Sequence, residues 1–196
     1  ALQASAVEIT NPSLVRTDAG YIADKATWLR KGNRVGEARA LLAAPRSLVK
    51  APTDAEEWLE TLLTNARAAD AAGDKMTAYN IAKQLDDTFP PGVVIREAPL
   101  SVRDDYTSLA WLAGQLAYKS VGRPREAVRL FRLYGEAARS AQTRTKGFYW
   151  AGRAALAAGD AAADGALGEA EHAGERAAGE ALEVHQLEHD LVLDGD

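Results

Sequence analysis

Cysteine is absent from this chain of 196 residues. That removes a disulfide framework, a thiolate metal site and a cysteine nucleophile, so stability has to come from packing. No stretch approaches the roughly 18 consecutive apolar residues that a membrane-spanning helix requires, and the first ten residues lack the basic and apolar regions of a secretory signal. The chain opens Ala1-Leu2-Gln3-Ala4 without a Met, for which a mature or trimmed start is the expectation. Strand-period alternation is missing too, apart from Val93-Val94-Ile95, a run too short and too closely flanked by turn residues to imply a sheet. There is no P-loop, no dinucleotide-binding glycine pattern and no hydrolase elbow. Aromatic residues make up only 7% of the chain, and every one lies at or before Trp150.

The charge is as unevenly distributed as the aromatics. Residues 1–160 carry 22 Lys+Arg against 18 Asp+Glu, whereas 161–196 carry one Arg against ten acidic residues. The net charge of −5 therefore comes from the tail. A tail without aromatics has few of the side chains that anchor a core, which places a domain boundary near residue 160. Residues 1–160 are expected to fold as one domain. Residues 161–196, rich in Ala, Gly and Glu, are expected to be weakly folded or to form atypical terminal helices, because only Leu167, Leu182, Val184, Leu187 and Leu191 offer anchorage.

Periodicity and punctuation in the first 160 residues are those of helices. Tyr21, Ile22, Ala26 and Leu29 recur at helical spacing over Asp18 to Lys31, and after the Gly32-Asn33 break Val35, Ala38, Leu41 and Leu42 do the same over Arg34 to Ala43. Thr53-Asp54-Ala55-Glu56 has the form of a capping box, opening a helix with Trp58, Leu59, Leu62, Leu63 and Ala66 on one face and an end near Ala72. From Asp74 a partner carries Ala78, Ile81, Ala82 and Leu85 until Phe89-Pro90-Pro91-Gly92 stops it. Residues 89–102 form a long connection, and Asp104 or Asp105 opens a helix with Tyr106, Leu109, Ala110, Leu112, Ala113 and Leu116. Pro124 suits the first turn of the next helix, from which Val128, Phe131, Leu133 and Tyr134 face back. Tyr149 to Asp160 ends one more helix at a Gly-Asp turn. The turn glycines Gly32, Gly73, Gly122 and Gly159 stand 41, 49 and 37 residues apart. A loose period near this length, with Ala110, Ala113, Gly114 and Ala117 permitting close helix approach, predicts an all-α chain: an α-solenoid or superhelix of paired antiparallel helices. It is not a regular tetratricopeptide array, since no Trp, Leu-Gly and Tyr set recurs at a fixed interval.

Four ordered segments over the same region resemble a known family. They are Arg34 to Leu42, the Leu109-Ala110-Trp111-Leu112-Ala113-Gly114 helix, the Glu126-Ala127-Val128-Arg129-Leu130-Phe131 helix, and Arg144 to Ala154 with its Gly147-Phe148-Tyr149-Trp150 core. Together they are similar to the helical superhelix domain of soluble lytic transglycosylases. The resemblance implies a periplasmic peptidoglycan protein of Gram-negative bacteria, in which paired helices support a lysozyme-like catalytic domain. There a single glutamate acts as acid and then base, cleaving the glycan to a 1,6-anhydro-muramic acid end. That catalytic domain carries a Glu-Ser run and a later Gly-Leu-Met-Gln run, and neither occurs here. The expectation is a non-catalytic scaffold domain, inactive alone, whose partners are a glycan strand or a catalytic module. Family members continue past the Gly-Asp turn into another aromatic-bearing helix, whereas here Ala161 opens the acidic tail. A shifted reading frame, a gene fragment or a fused tail would each produce that change.

Individual residues leave other functional classes open. His185-Gln186-Leu187-Glu188-His189 fits the H-x-x-E-H arrangement, in which two histidines one helical turn apart bind zinc and the glutamate is a general base. Such a site needs a further ligand and partners that orient each imidazole, and nothing singles out Glu175, Glu180 or Glu183. Chance spacing in a Glu-rich segment is the simpler account, and no metal or other cofactor is assigned. Trp111, Tyr149 and Trp150 are candidates for stacking on sugar rings, although aromatics at helical spacing more commonly fill a hairpin core. Arg123, Arg125, Arg129, Arg132, Arg139, Arg144, Lys146 and Arg153 make a basic region, with Arg125, Arg129 and Arg132 on one helical face. No aromatic-basic nucleic-acid module accompanies them, so no nucleic-acid partner is expected. Asp86-Asp87 and Asp104-Asp105 are expected to cap or end helices. No catalytic, cofactor-binding or metal-ligating residue is assigned. The classes in play are the transglycosylase scaffold, a stand-alone repeat adaptor that binds a protein partner, and a zinc enzyme built on the tail.

Overall fold

The computed structural model of the chain describes residues 13–159, and all the regular structure among them is helical. A single turn, α1 (Leu14–Thr17), precedes α2 (Ala19–Lys31) and α3 (Val35–Ala43). Next come α4 (Ala55–Ala71) and α5 (Lys75–Ala82), two 3₁₀ turns at Leu85–Thr88 and Ile95–Glu97, then α6 (Leu100–Lys119), α7 (Pro124–Ala137) and α8 (Ala141–Ala157). The tail, with His185, Glu188 and His189, lies outside the described residues, as does Asp160.

Local chemistry explains most helix starts. The Asp18, Asp54 and Asp74 carboxylates accept the amides of Tyr21, Glu57 and Thr77, and the Ser140 hydroxyl accepts that of Thr143, each satisfying a first-turn N–H. Pro124 opens α7, where its missing N–H costs nothing. The helix ends depend on backbone handedness: Gly73, Gly122 and Gly159 have φ of 83°, 65° and 67°. At the first hairpin the residue in this region is Asn33 (φ 60°) rather than Gly32, a substitution that asparagine tolerates. The amides of Arg34 and Asp74 reach back to the carbonyls of Leu29 and Ala69, closing the turns as helix C-caps.

Helices α2 and α3, α4 and α5, and α6 and α7 pair as successive hairpins, and α8 packs on α7. Corresponding arms also stack: α2 on α4, α3 on α5 and α4 on α6. This is the solenoid-like packing of adjacent helices that the periodicity implies, with one buried cluster running from Ile22 through Trp58, Tyr79 and Leu109 to Ala154.

Several expectations need correction. The cap of α4 is Asp54, one residue beyond the Thr53 of the expected capping box, because it is the Asp54 carboxylate that reaches Glu57. Helix α6 starts at Leu100, not at Asp104 or Asp105: Pro99 is extended with ψ 153° and the amide of Arg103 already bonds to its carbonyl. The two aspartates therefore lie inside the helix. Leu85 belongs to a 3₁₀ turn rather than to α5. Asp86-Asp87 cap nothing; they tie neighbouring units together. Asp87 accepts from Arg46 Nε at 2.5 Å and from Trp58 Nε1 at 3.0 Å, while Asp86 pairs with Arg129 of α7. Arg46 also lies over the Trp58 ring, 4.7 Å from its centroid, and donates to the Leu42 carbonyl.

Helices α6, α7 and α8 approach one another through glycines. A Cβ on Gly147 of α8 would stand 2.7 Å from both Cα and N of Gly135 in α7, and one on Gly114 of α6 would stand 2.7 Å from the buried Phe131 ring.

Four substitutions probe the close packing and the polar ties of the stack. Gly147→Ala forces the α7 and α8 backbones apart and is expected to lower stability by about 1–3 kcal/mol, which places the melting temperature several degrees lower. Gly36→Ala, where a methyl meets nothing within 4 Å, should leave stability unchanged or raise it by up to about 1 kcal/mol. Asp87→Ala strands the Arg46 guanidinium, whose side chain is 2% exposed, together with the Trp58 indole N–H. The expected loss in denaturant unfolding is about 3–5 kcal/mol, far above that for Asp70→Ala at the exposed Lys75 pair, about 0–1 kcal/mol.

Candidate functional site

Six aromatics from three helices form one connected cluster: Trp111 and Tyr118 of α6, Phe131 and Tyr134 of α7, Tyr149 and Trp150 of α8. Trp111 joins all three helices, with ring centroids 5.3 Å from Phe131, 5.0 Å from Tyr134 and 6.3 Å from Trp150. Trp150 in turn meets Tyr118 and Tyr149 edge-on at 6.0 and 5.9 Å, within the range of favourable aromatic pairs. Phe131 is fully buried, Trp111 and Trp150 are half-buried, and Tyr149 is 44% exposed. The three aromatics singled out in the sequence thus divide: Trp111 and Trp150 pack against the core, and Tyr149 faces outward.

Trp111 and Tyr134 also line a surface groove of about 470 Å³ between the first half of α6 and the junction of α7 with α8. Its remaining polar lining includes Arg103, Asp104 and Thr107 from α6, and Arg139, Ser140 and Thr143 from the α7–α8 junction. The α6 contribution follows from helical spacing, since Arg103, Thr107 and Trp111 recur every four residues and share a face. Ser140 and Thr143 are set by the N-cap of α8, where the Ser140 hydroxyl donates to Thr143 Oγ1 at 2.7 Å and accepts the Thr143 amide. Lys146, one turn further along α8, projects its ammonium over Trp111 at 3.8 Å from the centroid and lies 5.7 Å from the Tyr134 ring. Burial pushes the Tyr134 phenol upward from its usual pKa, so it remains a neutral hydroxyl at ordinary pH.

The cations here are held by neutral partners. Arg103 Nη1 donates to the Ala98 carbonyl at 3.2 Å, Arg139 Nε to the Arg96 carbonyl at 2.9 Å, and Lys146 is faced by rings. None of the three forms an ion pair with a carboxylate among the described residues. The basic face expected on α7 is different in kind: Arg129 pairs with Asp86 and Arg132 with Glu136. Arg139, Lys146 and Trp111 stand out in the sequence, whereas Arg103 and Thr107 are marked there only by their four-residue spacing to Trp111.

A second polar cluster joins α5 to α7. The Tyr79 hydroxyl donates to Glu126, which Arg123 also contacts at 3.1 Å, and the Lys83 ammonium lies 5.1 Å from the Tyr79 ring centroid. The Tyr79 hydrogen bond, followed by that of Arg123, holds the Glu126 carboxyl below the usual carboxylate range. A general acid needs the opposite shift. Asp105 has that upward shift, from burial and then from the carboxylates of Glu60 and Glu56, but the groove is lined by its neighbour Asp104. Among the described residues, no three His, Cys, Asp or Glu side chains are grouped to hold a metal ion.

No protein-family model matches this chain, and the curated proteins and solved structures give no match to it either.

The depressed Glu126 carboxyl makes a prediction with a definite sign. Because its folded pKa lies below the unfolded value near 4.5, its contribution to stability is present above that value and lost as pH falls through the folded one. Glu126→Gln is therefore expected to melt below the parent at pH 7, and the gap should close as the pH is lowered beneath about 4, measured by thermal unfolding across pH.

Proposed function

We propose that this chain is a non-catalytic helical scaffold domain of a peptidoglycan lytic transglycosylase, supporting a glycan strand or a catalytic module. The observation that carries the reading is the placement of the four family-like segments. Arg34 to Leu42 spans α3 and its cap, Leu109 to Gly114 lies in the middle of α6, Glu126 to Phe131 in α7, and Arg144 to Ala154 in α8. Each is an arm of the continuous helical stack, and the last three supply Trp111, Phe131, Tyr149 and Trp150 of the aromatic cluster, of which Trp111 also lines the groove. The groove adds hydroxyls, guanidinium groups and aromatic rings suited to contact with a saccharide. In this reading the function lies in shape and surface, with the chemistry supplied by another domain, and the setting is the periplasm.

A repeat adaptor with a protein partner is the second reading, favoured by the exposure of Val93, Val94 and Leu100 around the α5–α6 connection, at 45%, 57% and 64%. Exposed aliphatic side chains of this kind suit a protein surface better than a sugar.

Incubation of the chain with purified peptidoglycan sacculi, followed by sedimentation and mass spectrometry of the released material, separates the readings. Retention on the sacculi without 1,6-anhydro-muropeptides is expected. Release of anhydro products would overturn the non-catalytic reading, and failure to sediment would favour the adaptor.

A further inference from the structure

The groove between α6 and the α7–α8 junction has an unusual charge arrangement. Arg103 and Arg139 bring two positive charges to one concavity and Lys146 holds a third over the ring of its Trp111 wall, and each is anchored by a backbone carbonyl or by ring faces instead of a carboxylate. Their charge is therefore not neutralised within the fold, and Asp104 is the one acidic side chain on the lining. The volume of about 470 Å³ lies in the range of small-molecule sites. Trp111 and Tyr134 supply flat walls with a polar edge, and Thr107, Ser108 and Thr143 supply hydroxyls.

From this arrangement we infer that the groove binds a carboxylate-bearing sugar, with the acid group received by Arg103, Arg139 and Lys146 and the ring lying along Trp111 and Tyr134. The mixed lining favours a sugar over a polyphosphate. Asp104 accepts hydrogen bonds from sugar hydroxyls, whereas a dense run of phosphates meets its negative charge. A guanidinium offers a carboxylate two parallel N–H donors, and the ammonium over the rings adds a third point of attachment. The inference rests on the scaffold reading only for the polymer that carries the sugar; the groove chemistry itself is independent of it.

The test titrates the purified chain with three defined saccharides, following tryptophan fluorescence and calorimetry. They are the N-acetylglucosamine–N-acetylmuramic acid disaccharide with its free lactyl carboxylate, chitobiose as the comparator without that acid, and oligogalacturonate as an acidic sugar foreign to peptidoglycan. The acidic sugars are expected to bind, and chitobiose to bind more weakly by about tenfold or more, the effect of losing one charge-assisted contact. Lys146→Gln and Arg103→Gln should each weaken the acidic sugars by a similar factor of about ten while melting like the parent, whereas Arg125→Gln, outside the groove, should change nothing. Arg103→Lys, which keeps the charge but not the fork, should recover part of the loss. Binding should weaken as salt is raised.

No binding of either acidic sugar, equal binding of chitobiose, insensitivity to both groove substitutions, or preference for inorganic polyphosphate would each overturn the inference. The two proposals fail separately. Acidic sugars bound equally by the parent and by the Lys146→Gln and Arg103→Gln variants, with sacculi retained by the parent, would remove the groove and leave the scaffold. Oligogalacturonate bound through Lys146 and Arg103, with sacculi not retained, would remove the scaffold and keep the groove.

Discussion

The last three helices depend on side chains that are not there. Gly135 and Gly147 let α7 and α8 pack backbone to backbone, and Gly114 admits the Phe131 ring against the α6 backbone. Helix axes separated by ordinary side chains lie 8–10 Å apart, and each missing Cβ draws them closer. With α6, α7 and α8 so close, the large rings cannot all enter the interior. Phe131 is enclosed, while Trp111, Tyr134 and Trp150 are displaced to the margin, each with part of its surface exposed. The half-buried rings over which Lys146 and Lys119 lie are thus a consequence of close backbone packing.

A second constraint holds the hairpins in register with one another. Apolar packing alone lets stacked helices slide, because contact between methyl groups is not directional. Hydrogen bonds and ion pairs fix the offset. Asp87 receives Arg46 from the α3–α4 loop and Trp58 from α4, and the Gln84 side chain reaches the Leu42 carbonyl at 3.2 Å. Further along, Tyr79 reaches Glu126 and Asp86 reaches Arg129, joining the second hairpin to the third. Arg96 and the α7 C-terminus exchange bonds, Arg96 donating to the Glu136 carbonyl and Arg139 donating to that of Arg96. The long connection between α5 and α6 is therefore a polar strap along the stack. Its contact with Arg139 also places one wall of the groove.

Helices, their order and most of their caps were legible in the amino-acid sequence. Asp18, Asp74 and Pro124 act within three or four residues of themselves, so spacing alone reveals their roles. The start of α6 was not legible because Pro99, followed by an apolar residue, marks a first turn as well as it marks a loop, and Asp104-Asp105 offered a stronger cap signal further on. Asp86-Asp87 were misread for the same reason: a pair of aspartates beside a turn has the local signature of a cap. Their partners stand 41, 29 and 43 residues away, in Arg46, Trp58 and Arg129.

The sequence by itself determined that this chain builds paired helices in series, since helical periodicity, capping carboxylates and left-handed turn residues are local properties of the backbone. Only the tertiary structure decided which cations find a carboxylate and which are held by neutral groups. Arg129 and Arg103 look alike in a linear reading. One finds Asp86 across the stack, and the other ends beside a carbonyl in a groove whose far wall comes from α7 and α8. That difference arises from the three-dimensional approach of segments far apart in sequence, which spacing along a single helix does not encode.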